Sequence, residues 1–180
     1  MTQPRIKDAP EPLYWSLLAD EGGALPIAAT AKGLAYVGSP HQPLADLEAW
    51  ASRCFPGSPL ERNEDVLAPY IIDLAAYLQG GQNSFTPPCD VKGTPFQLAV
   101  WQALRAIPYG QTRSYADIAA SIGKPAAVRA VGTAIGANPV LIAIPCHRVI
   151  GKDGTLTGYR DGLEMKKRLL ELEQNGCSPK

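Results

Sequence analysis

Residues 114–136 read SYADIAASIGKPAAVRAVGTAIG, and this stretch decides the fold. Ser114 followed by Asp117 three residues later resembles a capping box, with Asp in the place of Glu or Gln. The helix it opens is predicted to close at Gly123, in the C′ position that favours glycine. Pro125 suits the first turn of a further helix, predicted to run to about Gly136. Two short helices joined by a Gly-containing turn of three or four residues describe a helix-turn-helix. An ordinary helical hairpin is the alternative.

The second helix separates the two. Val128, Val131 and Ile135 fall on one stripe, predicted to face the core. The opposite side carries Ala126, Arg129, Ala130, Thr133 and Ala137, a single long side chain among very small ones. A solvated face normally carries several Lys, Glu or Gln residues. A small face lets another backbone approach closely while the arginine projects into it, which favours DNA as the neighbour. Packing against another helix would instead bury Arg129 and require a partner for it.

Downstream, the apolar run Val140-Leu141-Ile142-Ala143 leads into Ile144-Pro145-Cys146-His147-Arg148-Val149-Ile150-Gly151. A cysteine nucleophile reacts as the thiolate and needs a group that takes its proton. The chain has two histidines, His41 and His147, and one adjoins Cys146. Neighbouring side chains usually diverge, so direct contact does not follow. In the last helix, Met165, Leu169, Leu170 and Leu172 define a buried arc. Glu173 lies on that arc, whereas Glu164 and Glu171 point away. A carboxylate on an apolar face is costly unless paired. Lys166 shares the arc, and its stem can carry the amine out to water.

Upstream, Thr94-Pro95 opens a helix through Phe96, Val100, Trp101 and Leu104 that ends before Pro108-Tyr109-Gly110. The breaker-rich segment 80–88 precedes it, placing a domain boundary near residue 90. The first half reads as mixed α/β. Strands are predicted over residues 25–30 and 33–38, around the turn Ala31-Lys32. Helices follow over 44–54 and 66–78, with Leu67, Ile71, Leu74 and Leu78 on one stripe.

Composition bounds the function. The 180 residues are 46% hydrophobic, which indicates a globular chain long enough for one domain or two small ones. No apolar run approaches the roughly 20 residues that span a bilayer. The N-terminus is too polar for a secretory signal, so an intracellular location is the default. Four scattered cysteines (Cys54, Cys89, Cys146, Cys177) form no CxxC pair. Cys54, Cys89 and His41 lack the local spacing of zinc ligands, so no metal is expected. Residues 1–89 carry 5 basic against 10 acidic side chains, and residues 90–180 carry 12 against 7. That asymmetry points an anionic partner at the second half. No Walker A or dinucleotide-binding pattern occurs, so no cofactor is expected.

Taken in order, several motifs resemble the O6-alkylguanine-DNA alkyltransferase family, also called methylated-DNA–protein-cysteine methyltransferases. They are Gly93-Thr94-Pro95-Phe96-Gln97, Ile107-Pro108-Tyr109-Gly110, Ser114-Tyr115, Arg129-Ala130-Val131-Gly132, Asn138-Pro139, Ile144-Pro145-Cys146-His147-Arg148-Val149, Gly158-Tyr159 and Leu169-Leu170-Glu171-Leu172-Glu173. The likeness is specific over residues 93–173, and the first half matches only in length and α/β character. It implies an α+β fold. Residues 1–89 would form a ribonuclease H-like α/β domain, and residues 90–180 a mainly helical, winged helix-turn-helix-like domain.

The same resemblance implies the chemistry. Cys146 would take the alkyl group from guanine O6 (and from O4-alkylthymine), activated through a water by His147, which Glu173 orients. Tyr115 would donate to guanine N3 and help turn the phosphate. Arg129 would fill the space of a flipped-out base, with Ala126, Ala130 and Thr133 against the minor groove and Asn138 bracing the turn to the active-site segment. Tyr159, Gly158 and Val149 would line the base pocket. Arg160 departs from the small residue that many family members carry there, although its backbone N–H can still reach O6. The partner is then double-stranded DNA containing alkylated guanine, met by a single-use monomer in the bacterial cytoplasm or a eukaryotic nucleus. A lesion-binding relative without transfer, a Cys-His hydrolase and a transcription regulator are the rivals. The first lacks the reactive cysteine, the second leaves Arg129 unexplained, and the third gives Cys146, His147 and Glu173 no task.

Overall fold

A computed structural model describes residues 10–40 and 42–176. The first half contains strands β1 (Leu13–Asp20), β2 (Gly23–Thr30), β3 (Gly33–Val37) and β4 (Leu60–Arg62), with helices α1 (Leu44–Cys54) and α2 (Glu64–Leu78). The sheet order is β3-β2-β1-β4, antiparallel except for the parallel β1–β4 pair. The β2–β3 pair and its turn fall where the sequence places them, and so do both helices. Strands β1 and β4 were not anticipated. Leu13, Ser16 and Leu18 are the buried positions of β1, which breaks the period of two, and β4 is only three residues long.

The sheet buries both faces. Ala28, Ala35 and Tyr36 pack with Leu47 and Trp50 of α1 on one side. Leu25, Ile27, Ala29 and Leu34 face the other side, where they join Leu67 and Leu74 of α2 and the apolar residues of the second half. One core therefore runs from the sheet into the helical half.

The edge of β3 is covered by backbone from the segment that joins the two halves and from the segment that follows α5 in sequence. Leu34 N–H donates to Pro88 O at 2.9 Å, and Asp90 N–H returns to Leu34 O at 2.9 Å. Val37 N–H donates to Pro139 O at 2.9 Å, and Leu141 N–H to Val37 O at 3.3 Å. Such pairing removes an exposed strand edge. It also explains Gly33: a Cβ there would lie 2.4 Å from Pro88 O, at a φ of +152°.

The second half contains α3 (Pro95–Arg105), β5 (Arg113–Ser114), α4 (Tyr115–Ser121), α5 (Val128–Gly136), β6 (Val149–Ile150) and α6 (Gly162–Gly176), with a 3-10 turn at Cys146–Arg148. Thr94 and Ser114 both form reciprocal capping boxes, with Gln97 and Asp117 as partners. Gly123 follows the cap of α4 at a φ of +70°. Trp101 Nε1 donates to Ala134 O at 2.8 Å and pins α3 to the last turns of α5. Arg168 of α6 reaches across to Asp20 of β1 at 2.8 Å.

The expected start of α5 needs correction. Pro125 and Ala126 lie in a turn before the helix, closed by Ala127 N–H donating to Lys124 O at 2.8 Å. Proline at the second position of a turn is as well preset as at a helix start, and the turn prevails here. The connection between α4 and α5 is consequently longer than the three or four residues expected. Val128 also departs from the predicted core stripe: it is 37% exposed, while Val131 and Ile135 are buried.

Candidate active site

Cys146 sits at the end of a buried segment that leaves α5 at Asn138. Asn138 is wholly buried. Its Oδ1 accepts from Val140 N–H at 3.0 Å, and its Nδ2 donates to Ile144 O at 2.9 Å and to Cys146 Sγ at 3.2 Å. Asn138 thus spans the turn, and it also meets the sulfur. Within the segment Ile142 holds a φ of +71°, a left-handed value costly for a β-branched residue, at about 1–3 kcal/mol. The flanking bonds Ala143 N–H to Leu141 O and Ile144 N–H to Val140 O, at 2.8 and 3.0 Å, help hold it there.

His147 and Cys146 make no direct hydrogen bond, as expected for adjacent side chains. The imidazole instead turns its Nε2 to Glu173 Oε1 at 2.7 Å. Glu173 is wholly buried and gathers four groups. Besides His147 these are Arg148 Nε at 3.0 Å, the Gly110 N–H at 2.8 Å and the Tyr77 hydroxyl, which donates to Oε1. Arg148 also donates to Ile107 O at 2.6 Å, so both ends of its guanidinium are held. Burial pushes the Glu173 carboxyl up, but the bonds from His147 and Arg148 outweigh it and bring the carboxyl to about 2. Burial lowers the pKa of His147 despite Glu173, so the imidazole is neutral at pH 7. With Nε2–H committed to the carboxylate, Nδ1 carries the lone pair, and it is buried with no protein partner among the described residues. Burial also raises the Cys146 thiol, against the Asn138 bond and the charges of Arg160 and Lys166. The resting pair is therefore thiol and neutral imidazole.

Cys146 opens onto a cavity of about 380 Å³ whose walls include Tyr115, Leu141, Gly158, Tyr159 and Arg160. Val149, just after the 3-10 turn, is wholly buried. The Tyr159 hydroxyl is buried with no partner among the described residues. Tyr115 OH donates to Thr157 O at 3.0 Å. Lys166 does not reach water. It is wholly buried, and its amine donates to Thr157 O at 2.8 Å, fixing the loop before Tyr159. Arg160 donates to Val37 O at 3.0 Å and lies over the Tyr36 ring at 5.6 Å, so it links the cavity to β3. A larger groove of about 530 Å³ between α3 and α4 is lined by neither cysteine nor histidine.

Helix α5 forms the rim of the cavity through Gly132, Ile135 and Gly136. On its outer side Arg129, Ala130, Thr133 and Ala137 are exposed, and so is Ala126 in the preceding turn. The small face with one arginine thus exists, with Ala126 contributing from outside the helix.

Sequence reading missed Tyr77, Arg148 and the Gly110 N–H as parts of this network. A tyrosine beside an apolar helical stripe reads as core, and its distance of 96 residues from Glu173 leaves no local signal. His41 and Cys177 lie outside the described residues. Cys54 and Cys89 are free thiols. Among the described residues no group of three or more His, Cys, Asp or Glu is placed to hold a metal ion, and no helix is long and apolar enough to cross a membrane.

Residues 95–175 match the family model described as 6-O-methylguanine DNA methyltransferase, DNA binding domain. An inducible methylated-DNA–protein-cysteine methyltransferase of Bacillus subtilis is 58% identical over 92% of this chain and 93% of its own length. A methylated-DNA–protein-cysteine methyltransferase of Methanosarcina acetivorans is 39% identical over 89% of this chain and 98% of its own. Among solved structures, Mycobacterium tuberculosis OGT in complex with DNA aligns with a TM-score of 0.79 and 39% identity, covering 91% of this chain and 94% of that one.

Proposed function

The chain belongs to the methylated-DNA–protein-cysteine methyltransferase family, and on that premise we propose that it repairs DNA by moving the alkyl group of O6-alkylguanine irreversibly onto Cys146. The observation that carries the reading is Cys146, opening on a cavity rimmed by α5 and adjoining in sequence the buried His147–Glu173 pair. His147 Nδ1 takes the thiol proton through a bridging water, and the Glu173 carboxylate stabilises the imidazolium that results. Sγ attacks the alkyl carbon in line, the C–O6 bond breaks, and its electron pair stays on guanine. Tyr115 stabilises that charge by donating toward N3. Asn138 Nδ2 stabilises the thiolate as it forms. The thioether has no route back to a thiol, so each molecule acts once.

The target oxygen is inside the base stack, so the nucleotide must be extruded. Arg129 fills its place, while Ala126, Ala130 and Thr133 allow α5 to approach the minor groove. The flipped base enters between Tyr159 and Gly158, beneath the backbone of Arg160. O4-alkylthymine fits the same chemistry. The protein works as a monomer in the compartment that holds the DNA. We further assign residues 1–89 to a ribonuclease H-like unit and residues 90–180 to a winged helix-turn-helix unit, the short β5–β6 pair standing beside α4 and α5.

Intact mass after incubation with a duplex containing O6-methylguanine tests the reading. One methyl group gained and mapped to Cys146 supports it, and Cys146→Ala must gain none while still binding DNA. Tight binding with no gain in mass would assign the protein to lesion recognition without repair.

A further inference from the structure

We propose that Tyr77 of α2 is a positioning residue of the transfer reaction, setting the charge and orientation of the Glu173–His147 pair from the other half of the chain. This rests on the assignment of Cys146 as alkyl acceptor and His147 as its base.

Three observations carry it. Tyr77 is 2% exposed, and its hydroxyl lies against both members of the pair: it donates to Glu173 Oε1 and stands 3.2 Å from His147 Nε2. Its ring meets Tyr109 edge-on, with centroids 6.0 Å apart at 87°, which fixes the hydroxyl's direction. Burial and the neighbouring Glu173 charge push its pKa above the ordinary 10, so it remains a donor throughout the working pH range.

A hydrogen bond to Oε1 draws charge from the carboxylate. It lowers the affinity of Glu173 for the Nε2 proton and limits how strongly Glu173 holds an imidazolium before substrate arrives. Without it, Oε1 is more negative, His147 is more readily protonated, and less of the neutral base is available in mildly acid solution. The Tyr77 oxygen near Nε2 acts in the opposite sense. It is a dipole at 3.2 Å against a full charge at 2.7 Å, so the carboxylate prevails. The other charged or titratable groups around the pair are Arg148 from the 3-10 turn, Lys166 from α6, Cys146, Tyr109 before α4, and Tyr159 in the cavity wall. Removing one hydroxyl leaves all of these in place.

The test is Tyr77→Phe, which keeps the ring. Two readouts are taken: the pH dependence of single-turnover methyl transfer, and the imidazole titration of His147 followed by ¹⁵N NMR in the DNA-free protein. The expected result is an acid limb and a His147 midpoint both raised by about half to one pH unit, with unchanged affinity for the duplex. Leu74→Ala, on the same helix, controls for simple loosening of α2 and should leave both midpoints in place. Superimposable profiles for Tyr77→Phe and the parent would overturn the inference, and so would equal shifts in Leu74→Ala. If the parent gains no methyl group, the transfer reading fails separately. The NMR midpoint then still decides whether Tyr77 sets the pair.

Discussion

Replacing Glu173 by glutamine removes one charge from a site where four groups converge on it. The amide that enters must turn an N–H toward at least one of His147, Arg148, Tyr77 or Gly110, all of which donate. The magnitude follows from the carboxyl's own titration. Its pKa of about 2, against the ordinary 4.5, corresponds to roughly 3 kcal/mol at about 1.4 kcal/mol per pH unit. Breaking a buried ion pair by removing one partner costs about 3–5 kcal/mol, which agrees. A carboxylate with a depressed folded pKa contributes fully above its unfolded value and loses that contribution as pH falls toward the folded one. Urea denaturation at pH 7 and at pH 3 therefore distinguishes this source of stability from any other. The variant should be about 3 kcal/mol less stable at pH 7, and the gap should roughly halve by pH 3, because the parent is losing what the variant never had. A gap that stays constant between the two pH values would refute the reasoning, as would one below about 1 kcal/mol at pH 7.

Arg129→Ala should slow methyl transfer from duplex DNA far more than transfer from the free alkylated base, measured by single-turnover rates. Equal losses on both substrates contradict a role in extrusion. Asn138→Ala leaves Val140 N–H buried without its partner, while Ile144 O keeps Cys146 N–H, so it should cost about 1–3 kcal/mol in chemical denaturation and slow transfer as well. Lys166→Met keeps the stem and removes the donor to Thr157 O. It should reduce the reaction rate with the free base roughly tenfold by loosening the loop before Tyr159, and an unchanged rate rules that role out.

The elements legible in the sequence are those whose signal is local. The Ser114–Asp117 capping box, the helix start at Thr94-Pro95, the glycine after α4 and the β2–β3 turn depend on residues within a few positions of one another, and they form as read. The start of α5 was misplaced because Pro125 satisfies a turn and a helix start equally well. The relay was half legible. Glu173 is conspicuous as a carboxylate on an apolar arc, and Cys146-His147 by adjacency. Tyr77 and Arg148 join them only through tertiary packing, where an aromatic or a basic residue carries no pattern that separates a network member from core or surface. The same limit applies to Arg160, whose hold on Val37 O crosses 123 residues.

Backbone pairing between β3 and the residues on either side of the helical half gives the molecule a mechanical property. Val37 shares hydrogen bonds with Pro139 and Leu141, only a few residues before Cys146, and Leu34 shares them with Pro88 and Asp90. Peeling the sheet away would strip the support from the strained Ile142 segment at the same moment. Unfolding should accordingly be cooperative across the whole chain, with one transition by every probe. A cut in the chain between Gly80 and Pro87 should leave two fragments that stay associated, and that lose alkyl-accepting capacity together when denaturant separates them.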